Sequence, residues 1–229
     1  CVELQRKNPT KAGQHGWGDL VSFLDALGDS AGENAKERTD RLVQLLGRVD
    51  CPNGIVFVAS TPGSEKRGAH ALRKLRPNAI HILAPTIGDW NQGSISDWAK
   101  DAGVSPQDIH LKWIDERHPW TCGWTLTEKT RDELCESVQL NRLRVEDRLH
   151  GEHVDGDARW SHAKLYLMRL PRKKKRCLLL TSANWSTSAW GAGKNKPRNF
   201  ELGVLFETDW KWLEEGVKDR LAAPFAAER

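Results

Sequence analysis

The stretch that decides the fold is SHAKLYLMRLPRKKKRCLLLTSANW, residues 161–185. Its apolar runs at 163–169 and 177–180 predict two β-strands, and the basic segment 171–176 between them predicts a hairpin turn. A third run, FELGVLF at 200–206, predicts a further strand. The polar residues that follow or precede these strands are the candidates for chemistry.

Elsewhere the chain alternates between strand-like and helix-like segments, which predicts a mixed α/β layered fold. We expect strands at 2–6, 55–60, 79–84 and 108–114 and helices at 19–27, 37–49, 69–75, 95–102, 127–138 and 210–222. Thr127 is a plausible helix cap. The polar segments 28–36 and 141–159 predict loops.

The composition indicates a globular domain and excludes several classes of protein. The 229 residues carry a net charge of +4, with 38% hydrophobic and 29% charged residues, and no run is long enough to span a membrane. The five cysteines are widely spaced and form no CxxC motif, so neither a zinc site nor a disulfide framework is expected. Free thiols favour an intracellular location: nuclear in a eukaryote, cytoplasmic in a bacterium.

Four residues around the deciding stretch predict a site for a phosphodiester. His162 and Lys164 project from the same face of a strand, so that an imidazole for proton transfer lies beside an ammonium that neutralises phosphate. Asn184 follows the next strand and can donate a hydrogen bond to the phosphate oxygens. Glu201, on a third strand, can hold the other imidazole nitrogen and fix its tautomer.

A bare H-x-K pattern is weak, because His110-Leu111-Lys112 supplies a second example. Only His162 is followed at hairpin distance by Ser182-Ala183-Asn184. We therefore interpret His110 as an ordinary strand residue and His162 as the catalytic one.

The sequence resembles the tyrosyl-DNA phosphodiesterases of the phospholipase D superfamily. SHAKLYLM at 161–168, LLLTSANWSTSAWG at 178–191 and NFELGVLFE at 199–207 match the second H-K-N motif of that family. The broad superfamily has an Asp five residues after the Lys, and here that residue is Arg169, as in the tyrosyl-DNA branch. Further similar stretches are DLVSFL at 19–24, STPG at 60–63 and GAHALRKL at 68–75.

The resemblance implies a phospholipase D-like mixed β-sheet flanked by helices, one half of the usual two-half fold, over residues 1–229. It implies hydrolysis of 3′-end DNA phosphodiester adducts through a phosphohistidine intermediate, with no metal or other cofactor. His162 takes the role of general acid/base, while Lys164 and Asn184 hold phosphate oxygens. The substrate-binding candidates are Ser182, Trp185, Ser186 and Thr86, of which Ser186 matches a position that contacts the DNA backbone.

The first H-K-N motif of the family is missing, and residues 1–16 resemble the strand and loop that follow it. We expect the partner motif to come from an upstream segment of a longer enzyme or from a second copy of the chain, and an isolated monomer to be inactive. Two alternatives stay open: a metal-independent nuclease of the same superfamily, and a DNA-binding module that has lost half of the active site.

Two features have a structural explanation as well as a functional one. The basic run RKKKR at 172–176 can follow DNA phosphates or be a solvated turn. Trp185 and Trp190 can stack on a base or pack the short helix that follows Asn184.

Overall fold

The computed structural model describes residues 17–84, 86–88, 90–114, 128–143, 164–171 and 175–209. The helices are α1 (Gly18–Ala31), α2 (Glu33–Leu46), α3 (Ala69–Arg73), α4 (Gln92–Ala102), α5 (Glu128–Ser137) and α6 (Thr187–Trp190). The strands are β1 (Ile55–Ser60), β2 (Ala79–Leu83), β3 (Ile109–Ile114), β4 (Gln139–Leu143), β5 (Leu165–Arg169), β6 (Lys175–Thr181) and β7 (Glu201–Asp209). None of the helices in these ranges is long and apolar enough to cross a membrane.

The seven strands form one mixed sheet in the order β1-β7-β6-β5-β2-β3-β4. β2, β3 and β4 are parallel, whereas β1, β7, β6 and β5 are each antiparallel to their neighbours, and β5 is antiparallel to β2. The basic hairpin and the strand after it thus occupy the centre of the sheet. The predicted mixed α/β fold, with helices flanking a mixed β-sheet, is confirmed.

One face of the sheet carries the main core, covered by α3, α4, α5 and α6. Tryptophans fill much of it. Trp98 makes edge-on ring contacts with Trp90, Trp185 and Trp190 at centroid distances of 6.4, 5.8 and 5.9 Å. Burying rings of this size removes more apolar surface from water than any other residue type, so this cluster is a principal source of stability.

The other face of the sheet bears the hairpin formed by α1 and α2. Phe57 lies on this face because it alternates with the buried core residue Val58, and its ring contacts that of Trp17 at 5.5 Å. Further along α1, Phe23 meets Phe200 edge-on at 5.9 Å. α1 therefore covers β1 and the start of β7, and α2 packs against α1.

Two loop predictions are wrong within the described ranges. Residues 28–36 are helical except for Gly32, whose φ of 89° breaks the chain direction and separates α1 from α2. The segment is polar because most of it faces solvent, and a polar sequence does not distinguish a solvent-facing helix from a loop. Residues 141–143, predicted as loop, belong to β4, which pairs with β3 as a parallel strand. The predicted strand at 2–6 and the terminal helix at 210–222 lie outside the described residues.

The topology brings several strand ends together in one row. We call this row of strand ends the site edge, and the row at the other ends of the strands the opposite edge. The strand register pairs Ser60 with Glu201, Leu165 with Leu180, and Leu83 with Leu165. Accordingly β1, β2 and β6 end where β5 and β7 begin. The opposite edge carries the pair Arg169 and Arg176.

Candidate functional site

Lys164 lies at the site edge immediately before β5. Its backbone oxygen accepts the N–H of Thr181 at 3.2 Å, which fixes it against the end of β6. The side chain is half-buried, and in the described part of the chain it forms no ion pair. An ammonium without a fixed counter-ion is what the binding of a phosphate oxygen requires.

Glu201, the first residue of β7, is held from two sides. Its Oε2 accepts the Ser182 hydroxyl at 2.5 Å, and its Oε1 accepts the Asn199 amide at 3.2 Å. The Ser182 oxygen also accepts the backbone N–H of Leu202 at 3.1 Å. Glu201 is 9% exposed, so these bonds replace water and fix the orientation of its carboxylate.

Asn184 follows β6 at the same edge. The chain before it is anchored because the Ala183 oxygen accepts the Tyr166 hydroxyl at 3.2 Å and the Ala183 N–H donates to Thr181 Oγ1 at 3.1 Å. The Asn184 Oδ1 is buried and has no hydrogen-bond partner among the described residues. Its side-chain amide is therefore not committed to any group of the described structure and remains available to a ligand or a further segment.

The loop after β2 packs against the residues that follow Asn184. Ile87 forms a parallel β-bridge with Trp185, and the Gly88 N–H donates to the Trp185 oxygen at 3.0 Å. This bridge places Thr86, the residue before Ile87, level with Asn184. Thr86 is exposed at this position.

Ser186 is the N-cap of α6, and its hydroxyl oxygen accepts the Ala189 N–H at 3.2 Å. The capping oxygen is an acceptor, so the hydroxyl proton is still available to donate to a phosphate. A side chain at Gly88 would overlap Ser186, which explains why a glycine stands opposite this cap.

The structure contradicts the stacking role predicted for Trp185. Its side chain is 0% exposed and lies between Trp90, at a ring distance of 4.7 Å, and Trp98. Trp190 is equally buried, and its indole N–H donates to the Tyr166 hydroxyl at 2.9 Å. Both tryptophans pack the core beneath the site, because the apolar face of the sheet needs large rings to cover it.

His110 lies on a strand, as the sequence predicted. It lies near the start of β3, far from the site edge, and stacks on the ring of His81 at a centroid distance of 4.4 Å.

His162 lies outside the described residues. Of the predicted site residues, the structure brings Lys164, Ser182, Asn184 and Glu201 to one edge, with Ser186 and Thr86 beside them. Among the residues it describes, no group of three or more His, Cys, Asp or Glu side chains is arranged to hold a metal ion.

Two features of this edge were missed at the level of sequence. Asn199 was not predicted to hold Glu201, although it stands only two residues before this carboxylate, which makes such a bond feasible. The basic stretch GKNKPRN at 193–199 was also missed, even though it has three cations in five residues directly before β7.

The family model for tyrosyl-DNA phosphodiesterase matches residues 107–224, which is 118 of 229 residues and more than half of the chain. The chain belongs to the tyrosyl-DNA phosphodiesterase family. The matched range contains Lys164, Asn184 and Glu201, so the family assignment and the cluster at the site edge rest on the same part of the molecule.

Solved structures similar to this chain include the yeast tyrosyl-DNA phosphodiesterase, at 19% sequence identity and a TM-score of 0.50, with 89% of this chain and 56% of that chain covered. A variant of the yeast protein gives 18% identity, a TM-score of 0.52, and the same coverages. At this identity the likeness shows the fold. This member of the tyrosyl-DNA phosphodiesterase family thus spans little more than half the length of the solved relatives. A sequence search of curated proteins found no match.

Proposed function

We propose that this chain provides the acid/base half of a phosphodiesterase that hydrolyses 3′-end DNA phosphodiester adducts through a phosphohistidine intermediate. The observation that carries the proposal is the meeting of Lys164, Ser182, Asn184 and Glu201 at one edge of the sheet. An ammonium, an amide and a fixed carboxylate are the groups that bind a phosphate and orient an imidazole. Membership of the tyrosyl-DNA phosphodiesterase family supports DNA as the substrate.

In the proposed reaction a histidine from the other half attacks phosphorus, so that a P–N bond forms and the bond to the leaving oxygen breaks. His162 donates its proton to that oxygen. It then takes a proton from water, whose oxygen attacks phosphorus and releases the histidine. Lys164 and Asn184 bind the non-bridging oxygens and stabilise their growing charge.

The role proposed for Glu201 is to accept the second N–H of His162. With Ser182 and Asn199 already donating to its two oxygens, the carboxylate cannot rotate to follow the imidazole. The imidazole must instead align with the carboxylate. Glu201 therefore selects the tautomer that leaves the other nitrogen facing the leaving group.

The attacking histidine has to come from outside the second motif. We propose that it belongs either to an upstream segment of the same enzyme or to a second copy of the chain, and we favour the upstream segment. Length supports this, because 56% of the yeast relative is covered by this chain and the rest of that protein has no counterpart here.

A DNA-binding module is the second candidate. It is favoured by one observation, namely that only one H-x-K motif of this chain is followed by Ser-x-Asn. Such a module would bind DNA and hydrolyse nothing, whatever segment is added. A nuclease of the same superfamily would instead cleave unmodified DNA.

The test uses an oligonucleotide with a 3′-phosphotyrosine, incubated with the chain as it stands and with the chain extended by its upstream coding sequence. We expect release of tyrosine by the extended protein and its loss, by at least a hundredfold, in the His162→Ala variant, because general acid/base catalysis contributes about 10²–10⁴-fold. Binding without release in every form would establish the module. Equal rates for the variant and the parent protein would remove His162 from the mechanism.

A further inference from the structure

We propose that residues 191–200, the loop between α6 and β7, bind the phosphate backbone of the DNA strand that leads to the reacting phosphate. We call this segment the 191–200 loop. The inference rests on the proposed function, because it assigns to this loop the strand on which that reaction takes place.

The position of the loop follows from the topology. α6 begins three residues after Asn184, and the loop leads from the end of α6 to Glu201. Together with α6, the loop therefore connects Asn184 to Glu201, two of the residues that define the site. A strand whose phosphate is held by Lys164 and Asn184 has the loop as a direct neighbour.

The 191–200 loop carries a concentration of positive charge beside the site. Lys194, Lys196 and Arg198 are all exposed, and no carboxylate occurs in the loop itself. Lys194 forms no ion pair within the described ranges. Three cations within five residues give the phosphates of a polynucleotide several positive groups to contact.

Acidic neighbours partly offset this charge. Glu65 pairs with Lys196 at 2.6 Å, and this ammonium lowers the pKa of the Glu65 carboxyl. The carboxylate of Asp97 lies against the backbone of Gly193. A phosphate that binds Lys196 must therefore replace Glu65 as its partner. A substitution of Glu65 consequently tests the role of Lys196.

The loop is held by its own hydrogen bonds and by bonds to neighbouring elements. Ala192 and Asn195 exchange two backbone hydrogen bonds of 2.9 Å around a turn in which Gly193 has a φ of 55°. Arg67 donates to the Gly193 oxygen, and the Pro197 oxygen accepts the Gly63 N–H at 2.9 Å.

The end of the loop is fixed to α6. The N–H groups of Arg198 and Asn199 both donate to the Ser188 oxygen, at 2.7 and 3.1 Å, and the Arg198 guanidinium donates to the Ser188 hydroxyl at 2.7 Å. A surface held in this way loses little conformational entropy on binding.

The other basic run of the sequence stands between Arg169 of β5 and Arg176 of β6. These two residues pair at the edge opposite the site. β6 runs from Lys175 to Thr181, a rise of about 20 Å. This distance exceeds the screening length of about 8 Å at physiological ionic strength, so charge at that edge contributes little at the reacting phosphate.

The experiment measures binding of a fluorescein-labelled dT₁₂ strand as a function of salt. The variants are Lys194→Gln with Lys196→Gln in the loop, and Lys173→Gln with Lys174→Gln as a charge-matched control in the basic turn. All proteins are the full chain, with folding checked by circular dichroism. We expect the magnitude of the slope of log K against log salt to decrease by about 1.4 in the loop variant. Two phosphate contacts are lost, and each single-strand contact contributes about 0.7.

The control variant should keep the slope of the parent protein. Equal loss in both variants, loss only in the control, or no loss in either would overturn the proposal.

Glu65→Gln gives an independent readout with the opposite sign. Releasing Lys196 from its ion pair should strengthen binding about two- to fivefold, the range that an exposed pair supports. Unchanged or weaker binding would contradict a role for Lys196. Because these assays record binding alone, a failure of hydrolysis would count against the proposed function and leave the loop result intact.

Discussion

At the scale of single residues, the site depends on polar groups held from below by the core. Tyr166 is the clearest example. It is fully buried, donates to the Ala183 oxygen next to Asn184, and accepts the indole N–H of Trp190. Its hydroxyl thus connects the tryptophan cluster to the chain that carries a candidate phosphate ligand.

Replacing Tyr166 by Phe should destabilise the protein without emptying the core. The change leaves the Trp190 N–H and the Ala183 oxygen without their partner, and a buried group left unsatisfied costs about 1–3 kcal/mol. Urea unfolding monitored by tryptophan fluorescence measures the loss. A variant as stable as the parent protein would show that these two groups find other partners.

The same tyrosine predicts how stability depends on alkaline pH. Burial raises the pKa of Tyr166 well above its ordinary value of 10.0. The unfolded chain therefore loses this proton near pH 10 while the folded chain retains it, so the contribution of Tyr166 to the free energy of unfolding is constant below that pH and falls above it.

Tyr166 is the only tyrosine in the sequence, so absorbance of tyrosinate reports on it alone. We expect ionisation to coincide with unfolding, as followed by circular dichroism. Ionisation of the folded protein near pH 10 would contradict this.

At the scale of elements, the site requires close approach between loops. The loop after β2 meets the residues after β6 through the Ile87–Trp185 bridge, and the Trp90 indole donates to the Trp185 oxygen at 2.9 Å. Gly203 plays a similar part within the sheet, because a side chain there would meet Thr181 Cβ at 2.8 Å. The absence of a side chain at Gly203 lets the end of β6 and the start of β7 come within hydrogen-bonding distance of each other.

Gly88→Ala should therefore disturb the site as well as stability. The added methyl group overlaps Ser186, and overpacking of this kind costs about 1–3 kcal/mol. Gly18→Ala is the matched control, because a Cβ at Gly18 meets nothing within 4 Å. Thermal unfolding of both variants tests this, and a Gly88→Ala protein as stable as the control would mean that the cap of α6 moves freely.

At the scale of the whole molecule, the two edges of the sheet carry different sets of polar side chains. The site edge collects Lys164, Asn184 and Glu201, whereas the opposite edge carries the Arg169 and Arg176 pair. Burial and the nearby charge of Arg169 lower the pKa of Arg176. The antiparallel strands β5 and β6 produce this separation, because β5 runs from the site edge to the opposite edge and β6 returns.

The complete enzyme should hydrolyse its substrate equally well in excess EDTA. In the proposed mechanism Lys164, with a second lysine from the other half, supplies the positive charge that a divalent cation supplies elsewhere. Initial rates on the phosphotyrosyl oligonucleotide, with and without chelator, make the measurement. Inhibition that is reversed by added metal would show that a cation takes part in the reaction.

Much of this protein could be predicted from sequence, because the signals are local. Apolar runs located β1, β2, β5, β6 and β7, since a buried strand needs consecutive or alternating apolar side chains whatever lies beside it. The location of Lys164, Asn184 and Glu201 at one edge was predictable for the same reason. A short hairpin and the strand that follows it leave few ways to arrange their ends.

The tertiary structure decided what depends on partners distant in sequence. β4 became a strand because β3 offered it a parallel edge, and Trp185 became a core residue because Trp90 and Trp98 enclose it. Both segments are rich in cations as sequence, and only the directions of β5, β6 and β7 place the 191–200 loop beside Glu201 and the Arg169–Arg176 pair at the opposite edge. Composition fixes how much charge a segment carries, but only strand direction fixes the edge at which that charge acts.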